Sequence, residues 1–187
     1  ITGKAVSYAI AFGLFFSAVF VVFGQSWGNA FYHSESAGEY LRVLAPIVPL
    51  IYLDVVVDSL LKGLDEQFNS MKYNFSDSLI RVLLVLCLLR FFGMESYICI
   101  LFFSTIFNAA LSLHRLLKVT KVRLSLLKNV LLPLLCAVLS VAITNFLLSG
   151  FSLQNAFLQL ALQTIFSGAI FTFGFFTVCQ PESRSKN

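Results

Sequence analysis

The chain has 187 residues, of which 58% are hydrophobic and 12% are charged, and its mean hydropathy is +0.88. Soluble domains contain about 45–50% apolar and about 25% charged residues, so this composition excludes an ordinary soluble domain and predicts a membrane protein. The net charge of +4 matters less than where the charges lie, and no nucleic-acid partner is predicted.

Six apolar stretches have the length of about 20 residues that a bilayer requires. We expect all of them to be helical, because an open sheet cannot satisfy its backbone in lipid. Pro46 and Pro49 should kink the second stretch, whereas Pro133 lies in the first turn of the fifth, where proline is tolerated. The predicted fold is an all-α, polytopic membrane helical bundle with six transmembrane helices, at about residues 5–23, 41–61, 72–92, 97–116, 129–149 and 157–179.

Basic residues are concentrated at one predicted side of the membrane, in every second connection between these stretches. Ten of the thirteen lie at one side, only Arg42 and Arg90 flank the other, and Arg81 is within a span. The positive-inside rule therefore predicts cytoplasmic termini, with residues 24–40 forming an outer loop whose aromatic residues lie at the interface. Residues 117–128 carry four basic side chains, spaced three, two and five residues apart among apolar ones, which indicates either an amphipathic linker on anionic lipid or simple topogenic charge.

Two neighbouring spans carry charges where the bilayer should be. Asp54 and Asp58 lie in one, Asp77 and Arg81 in the next, and each pair is spaced i, i+4 on one helical face. A charge near the bilayer centre costs about 2.5–3.5 kcal/mol on insertion scales, so these residues should face protein or a water-filled cavity. The fourth span contributes Asn108.

Depth can be compared if residues 62–71 connect the two charged spans. Asp58 and Asp77 should then share one level and Asp54 and Arg81 a deeper one, with Asn108 beside them and Asn74 just below. An ion pair between Arg81 and either Asp54 or Asp77 follows. Two interpretations remain open: a buried clip between helices, or the wall of an inward-facing cavity that contacts a charged headgroup.

Other polar residues give weaker signals. Gln159, Gln163 and Thr164 form a polar stripe on the sixth span, for which interhelix hydrogen bonding is the preferred interpretation over ligand binding. The four cysteines lie in apolar runs and are expected to be free thiols. No nucleophile–base set, metal-ligand cluster or phosphate-binding glycine loop is present in the sequence, so neither enzymatic activity nor a cofactor is predicted.

Five segments of the chain match the motifs of one transporter group: Leu41–Pro46, Asp58–Leu64, Asn74–Arg81, Phe107–Asn108 and Leu113–Thr120. On these motifs the chain resembles the stage V sporulation protein B group of polysaccharide-biosynthesis membrane proteins, within the multidrug/oligosaccharidyl-lipid/polysaccharide (MOP) flippase superfamily. Such proteins usually continue Gly-Leu-Gly-Gln-Gln where this chain has Gly63-Leu64-Asp65-Glu66-Gln67.

The resemblance implies a two-lobed, MATE-like transporter of a bacterial cytoplasmic membrane that works by alternating access. Residues 1–120 would be the last four helices of its C-terminal lobe, and residues 121–187 two appended helices with a short cytoplasmic tail. The expected substrate is a lipid-linked oligosaccharide or cell-wall polysaccharide precursor carried on a polyprenyl lipid. The alternatives are a drug exporter coupled to H⁺ or Na⁺ and a non-transporting scaffold for envelope synthesis. The substrate-binding or ion-coupling candidates are Asp54, Asp58, Asn74, Asp77, Arg81 and Asn108.

Overall fold

The computed structural model describes residues 2–121, 130–148 and 156–178, and within these ranges it contains helices and no β-strand. The predicted all-α fold is therefore confirmed. The predicted linker beyond Lys121, the connection at 149–155 and the tail at 179–187 lie outside the described residues. In chain order the helices are α1 (Thr2–Tyr32), α2 (Glu35–Leu44), a 3₁₀ turn (Ala45–Ile47), α3 (Val48–Gly63), α4 (Gln67–Thr120), α5 (Leu132–Leu148) and α6 (Ala156–Val178).

The prediction of a loop at 24–40 is wrong, because α1 continues to Tyr32 and α2 begins at Glu35; the outer location of this segment stays a prediction. The reversal uses only His33, in a left-handed conformation with φ 52°, and Ser34. Two glycines allow the helices to meet directly after this turn. A Cβ added to Gly28 would lie 2.3 Å from the Gly38 nitrogen. Because glycine has no side chain, the backbones of α1 and α2 can pack directly against each other at this point.

The predicted kink in the second span is confirmed. Helix α2 ends at Leu44, a 3₁₀ turn follows at Ala45–Ile47, and α3 starts at Val48. Pro46 and Pro49 supply no backbone N–H, and their rings clash with the preceding helical turn, so a continuous α-helix cannot form here. Pro133 lies at the second position of α5, where its missing N–H would be unpaired in any case.

A tight turn joins α3 to α4. Asp65 adopts a left-handed conformation with φ 59°, and the Glu66 N–H donates to the Leu61 carbonyl at 3.0 Å. This is the Schellman arrangement that closes many helices, in which glycine usually takes the left-handed position. The transporter group that the sequence resembles usually has glycine at this position, so Asp65 carries a conformational cost that glycine avoids.

Helix α4 bends back on itself at Gly93, which has φ 63° and ψ −145°. The Ser96 hydroxyl donates to the Gly93 carbonyl at 2.7 Å and helps to close the turn. Because φ in this range strains any residue with a Cβ, glycine permits the reversal. We call residues 67–92 the first arm of α4 and residues 94–120 the second arm.

The described residues fall into two compact units. The first contains residues 2–9 and 50–121, hence most of α3 and both arms of α4. The second contains residues 10–49, 130–148 and 156–178, and its core combines small and aromatic residues of α1, α5 and α6. Phe15 stacks on Phe171 at 4.9 Å between ring centroids within that core. The predicted division at residues 120 and 121 stays a prediction.

Helices long and apolar enough to cross a membrane number four within the described ranges: Thr2–Tyr32, Glu35–Gly63, Gly93–Thr120 and Phe157–Thr177. The other two predicted spans are also helical. The helix at Leu132–Leu148 has 17 residues, and the first arm of α4 carries Asp77 and Arg81 along with two more basic residues. This architecture indicates a membrane-embedded helical bundle, and the charged first arm is the part that requires a polar partner.

Candidate functional site

The predicted site residues lie within the first unit, on three polar stripes with helical spacing. On α3, Leu53, Val57 and Leu61 form a buried face, and the two aspartates each follow one of these residues by one position. Each arm of α4 carries a stripe with steps of three or four residues, which places its members on one side of the helix. The stripes are Asp54 and Asp58; Ser70, Asn74, Asp77 and Arg81; and Ser104, Asn108, Ser112 and Arg115.

Asp58 connects α3 to the beginning of α4. Its Oδ1 accepts hydrogen bonds from the Ser70 hydroxyl and from Asn74 Nδ2, the latter at 3.2 Å. Its Oδ2 pairs with Lys62 Nζ one helical turn later, at 2.6 Å. Ser70 is 1% exposed, so the hydroxyl that meets this carboxylate is fully enclosed. Asp58 therefore has both an ion-pair partner and hydrogen bonds across the hairpin.

Asn108 joins three helical segments through one carboxamide. Its Nδ2 donates to Asp54 Oδ2 on α3 at 2.8 Å and to Asn74 Oδ1 on the first arm at 3.1 Å. Asn108 is 6% exposed, and both hydrogens of its amide are used. The residue acts as the central connection between the stripes.

Asp77, Arg81 and Ser104 form a closed triangle between the two arms. Arg81 donates from Nη2 to Asp77 Oδ2 at 2.8 Å and from Nε to the Ser104 hydroxyl at 2.9 Å, and Ser104 in turn donates to Asp77 Oδ1. The Asp77 side chain is 7% exposed, whereas that of Arg81 is 40% exposed. The carboxylate is thus enclosed while the guanidinium keeps part of its surface accessible.

A third ion pair, between Arg115 and Glu66, closes the end of the hairpin beside the α3–α4 turn. Arg115 donates from Nη2 to Glu66 Oε1 and Oε2, both at 2.9 Å, and from Nε to Oε2 at 3.2 Å. Asn69 also donates to Glu66. Hydrogen bonds from Arg115, followed by the one from Asn69, hold the pKa of Glu66 below its ordinary value of 4.5.

The predicted ion pair of Arg81 with Asp77 is confirmed, and it lies within one helix rather than across the hairpin. The predicted placement of Asn108 beside Asp54 and Asn74 is confirmed. The predicted common level of Asp58 and Asp77 is wrong, because Asp58 contacts Ser70 and Asn74 instead. The physical reason is the length of the turn. We expected a connection at 62–71, but α4 already starts at Gln67, so the two helices face each other several residues earlier.

Sequence reasoning missed the hydroxyl and charged residues that complete these contacts. Ser70 and Ser104 lie four residues before Asn74 and Asn108, respectively, and Arg115 lies seven residues after Asn108. Steps of three to four residues from the predicted asparagines would have found them. Serines inside apolar helices were overlooked because they also occur there with their hydroxyls bonded to their own backbone, as Ser59 does to the Val55 carbonyl.

Two enclosed oxygens in this network lack a hydrogen-bond donor within the described part of the chain. They are Asp54 Oδ1 and Asn108 Oδ1, although the Ser112 hydroxyl lies close to the Asp54 carboxylate. Among described residues, Asp58 pairs with Lys62 and Asp77 with Arg81, while no salt bridge reaches Asp54. Asp54 is thus the carboxylate of the three whose charge is not balanced by a neighbouring described cation.

Comparison of the chain with protein-family models, with curated proteins and with solved structures gave no match. The similarity to the polysaccharide-exporter group therefore rests on the motifs of the sequence, and membership of that group stays a prediction.

Proposed function

We propose that this chain is part of a membrane flippase or exporter that moves a lipid-linked oligosaccharide or cell-wall polysaccharide precursor by alternating access. The observation that carries the proposal is the polar network of Asp54, Asp58, Asp77, Arg81 and Asn108 inside apolar helices. Ionisable residues within membrane helices are costly and mark substrate or ion pathways more often than lipid-facing surface. The motif similarity supplies the class of substrate.

Arg81 is the residue that contacts an anionic headgroup in this proposal. Asp77 and Ser104 occupy two of its five N–H donors, and the others have no bond to a described residue. A planar guanidinium held by a carboxylate on one side can present its remaining donors to phosphate oxygens in a bidentate arrangement. The partial exposure of this side chain supports such a contact.

A transport assay with arginine variants tests this role. In the full-length protein that contains this chain, Arg81→Gln should lower the rate of translocation of a fluorescent polyprenyl-pyrophosphate disaccharide in proteoliposomes at least tenfold. Arg81→Lys should retain an intermediate rate because it keeps the charge without the fork. Arg90→Gln is the matched control, since Arg90 lies exposed on the same arm.

Membrane abundance and thermal unfolding, measured in the same samples, separate transport from structure. Normal translocation by Arg81→Gln would refute the headgroup role. Equal losses of abundance and translocation would assign Arg81 to a structural clip. Absence of translocation by the wild-type protein, together with loss of envelope polysaccharide in a deletion strain, would indicate a scaffold.

Asp54 favours a second candidate, a cation-coupled exporter. Its carboxylate has no ion pair with a described residue, and its Oδ1 and the neighbouring Asn108 Oδ1 lack donors, so the carboxylate could take up a proton or both oxygens could contribute ligands to Na⁺. Asp54→Asn should then abolish the dependence of transport on a proton or sodium gradient. Drug efflux driven by such a gradient, with normal envelope synthesis, would favour a multidrug exporter over a precursor flippase.

The proposed location is a bacterial cytoplasmic membrane, with Lys4 and the basic segment after α4 on the cytoplasmic side. Single cysteines in a cysteine-free background test this orientation. His33→Cys, at the α1–α2 turn, should react with an impermeant maleimide from outside, and Lys121→Cys should react only after permeabilisation. Both wild-type residues are exposed, so equal labelling of the two variants would contradict the orientation.

A further inference from the structure

The second unit contains a cavity that the charged network does not use. Its volume is about 460 Å³, within the range of small-ligand sites, and it is lined by residues of α1, α5 and α6. Apolar side chains, among them Phe23 and Leu160, form part of its wall. The polar lining residues are Ser26, Asn29, Asn145, Gln159 and Gln163.

These polar side chains share two properties: all five are neutral, and four of them are carboxamides. Gln163 is 8% exposed, so more than nine-tenths of this residue is buried. We expected Gln159 and Gln163 to bond between helices, but neither has a hydrogen bond to a described residue, whereas Thr164 bonds to the Leu160 carbonyl of its own helix. A carboxamide that lines a cavity and has no partner among the described residues is suited to a ligand that supplies donors and acceptors together.

Aromatic residues lie next to the lining residues along the chain. Trp27 stacks on Phe31 with 5.2 Å between ring centroids, and Phe157 meets Phe31 edge-on at 5.3 Å. Phe31 and Phe157 are both more than half exposed. The buried Trp27 Nε1 has no hydrogen-bond acceptor within the described residues. These three rings adjoin the lining residues in sequence but are not part of the lining, whose described aromatic side chain is Phe23. An apolar wall beside neutral donors and acceptors matches a pyranose ring, which has C–H faces and a rim of hydroxyl groups.

We propose that this cavity binds an uncharged sugar unit of a membrane glycolipid. Among the described residues of the lining, none carries a charge that would attract a phosphate or a carboxylate. An acyl chain would leave the five polar side chains without partners, at a cost that a hydroxyl-rich ligand avoids. The assignment deepens the proposed function by naming the chemistry of its substrate, and it rests on that function only for the lipid that carries the sugar.

Binding can be measured without transport because Trp27 is the only tryptophan of the chain. The full chain is placed in phosphatidylcholine nanodiscs that contain increasing amounts of monoglucosyl diacylglycerol, with diacylglycerol as the sugar-free comparison. Methyl β-D-glucopyranoside added in solution tests whether a free sugar suffices. We expect a saturable change in Trp27 fluorescence with the glycolipid and none with diacylglycerol.

Two variants assign that change to the cavity. Gln163→Leu, of similar size, should weaken glycolipid binding at least tenfold. Thr164→Val is the matched control, since Thr164 is on the same helical turn but bonds to its own backbone, and it should bind as the wild type does. Far-UV circular dichroism and the unfolding midpoint establish that each variant is folded, and Gln159→Leu provides a second test of the same lining if Gln163→Leu does not fold.

The outcomes discriminate between the sources of the ligand and between the two proposals. Saturation by glycolipid that is lost in a folded lining variant supports the inference, and saturation by the free glucoside as well shows that the lipid is dispensable. No saturable change with either sugar, an equal change with diacylglycerol, or unchanged binding by the folded lining variants would overturn it. Because no transport step enters the assay, binding without translocation by the full-length protein would refute the proposed function alone.

Discussion

Replacing Asn108 by leucine should destabilise the helical hairpins of the first unit. The change removes the hydrogen bonds from Nδ2 to Asp54 Oδ2 at 2.8 Å and to Asn74 Oδ1 at 3.1 Å. Interhelix hydrogen bonds in membrane proteins average about 0.6 kcal/mol, with a maximum of about 1.7 kcal/mol. A buried acceptor left without its donor adds about 1–3 kcal/mol. We therefore expect Asn108→Leu to lower the free energy of unfolding by about 2–4 kcal/mol.

A double-mutant cycle separates this contact from general loss of packing. Asp54→Leu alone leaves one hydrogen of the Asn108 amide unpaired, whereas the double variant places apolar groups on both sides of the contact. Paired apolar replacement of a buried polar contact is close to neutral. The double variant should therefore lose at least about 1 kcal/mol less than the sum of the two single variants, which is a coupling expected only for residues in contact.

Equilibrium unfolding of the full chain in mixed micelles, titrated with sodium dodecyl sulfate and followed by far-UV circular dichroism, measures these free energies. A loss of 2 kcal/mol corresponds to a change of about 30-fold in the unfolding equilibrium. Ile106→Leu, at a half-exposed position of the same arm, should leave the equilibrium unchanged. The reasoning is refuted if Asn108→Leu costs less than about 0.5 kcal/mol, or if the two single effects add within about 0.3–0.5 kcal/mol.

Three further predictions concern turns and helix contacts and use the same unfolding assay. Asp65→Gly should stabilise the chain by about 1 kcal/mol, because φ is 59° there, and a destabilising effect would contradict the assigned turn. The contribution of the Glu66–Arg115 ion pair to the free energy of unfolding should be fully present above pH 4.5 and should be lost as the pH falls through the lowered pKa of Glu66. A Glu66→Gln variant whose stability has the same pH profile as the wild type would argue against this contribution. Gly28→Ala should lower the free energy of unfolding by about 1–3 kcal/mol because it separates α1 from α2. Gly63→Ala, whose new Cβ would meet nothing within 4 Å, should be tolerated. Similar effects of the two variants would exclude the close contact between α1 and α2.

The charged stripes and their helical character could be predicted because both depend on spacing along one chain. Steps of four between Asp54 and Asp58 and between Asp77 and Arg81 place each pair on one face in any α-helix. The Arg81–Asp77 pair is local in this sense, and the structure contains it. The kink at Pro46 and Pro49 was equally predictable, because the missing N–H is a property of the residue itself.

The pairing of one helix with another could not be predicted in the same way. A turn of three residues instead of about ten moves every contact between α3 and the first arm, and the turn depends on whether Asp65 accepts a left-handed conformation. The prediction of a loop at residues 24–40 was wrong for a related reason. Gly28 and Gly38 are ten residues apart in sequence, and only their contact in space explains why helix replaces loop between them.

The sequence by itself determined that this protein is an all-α membrane bundle, because hydropathy, helical spacing and proline act over one or two helical turns. It also determined which residues are too polar to face lipid. Only the tertiary structure decided that Asn108 joins Asp54 to Asn74, that Ser104 completes the Arg81–Asp77 triangle, and that the glutamines of α6 line a cavity. These features depend on helix register. When a turn gains or loses a few residues, each side chain of the following helix meets different partners.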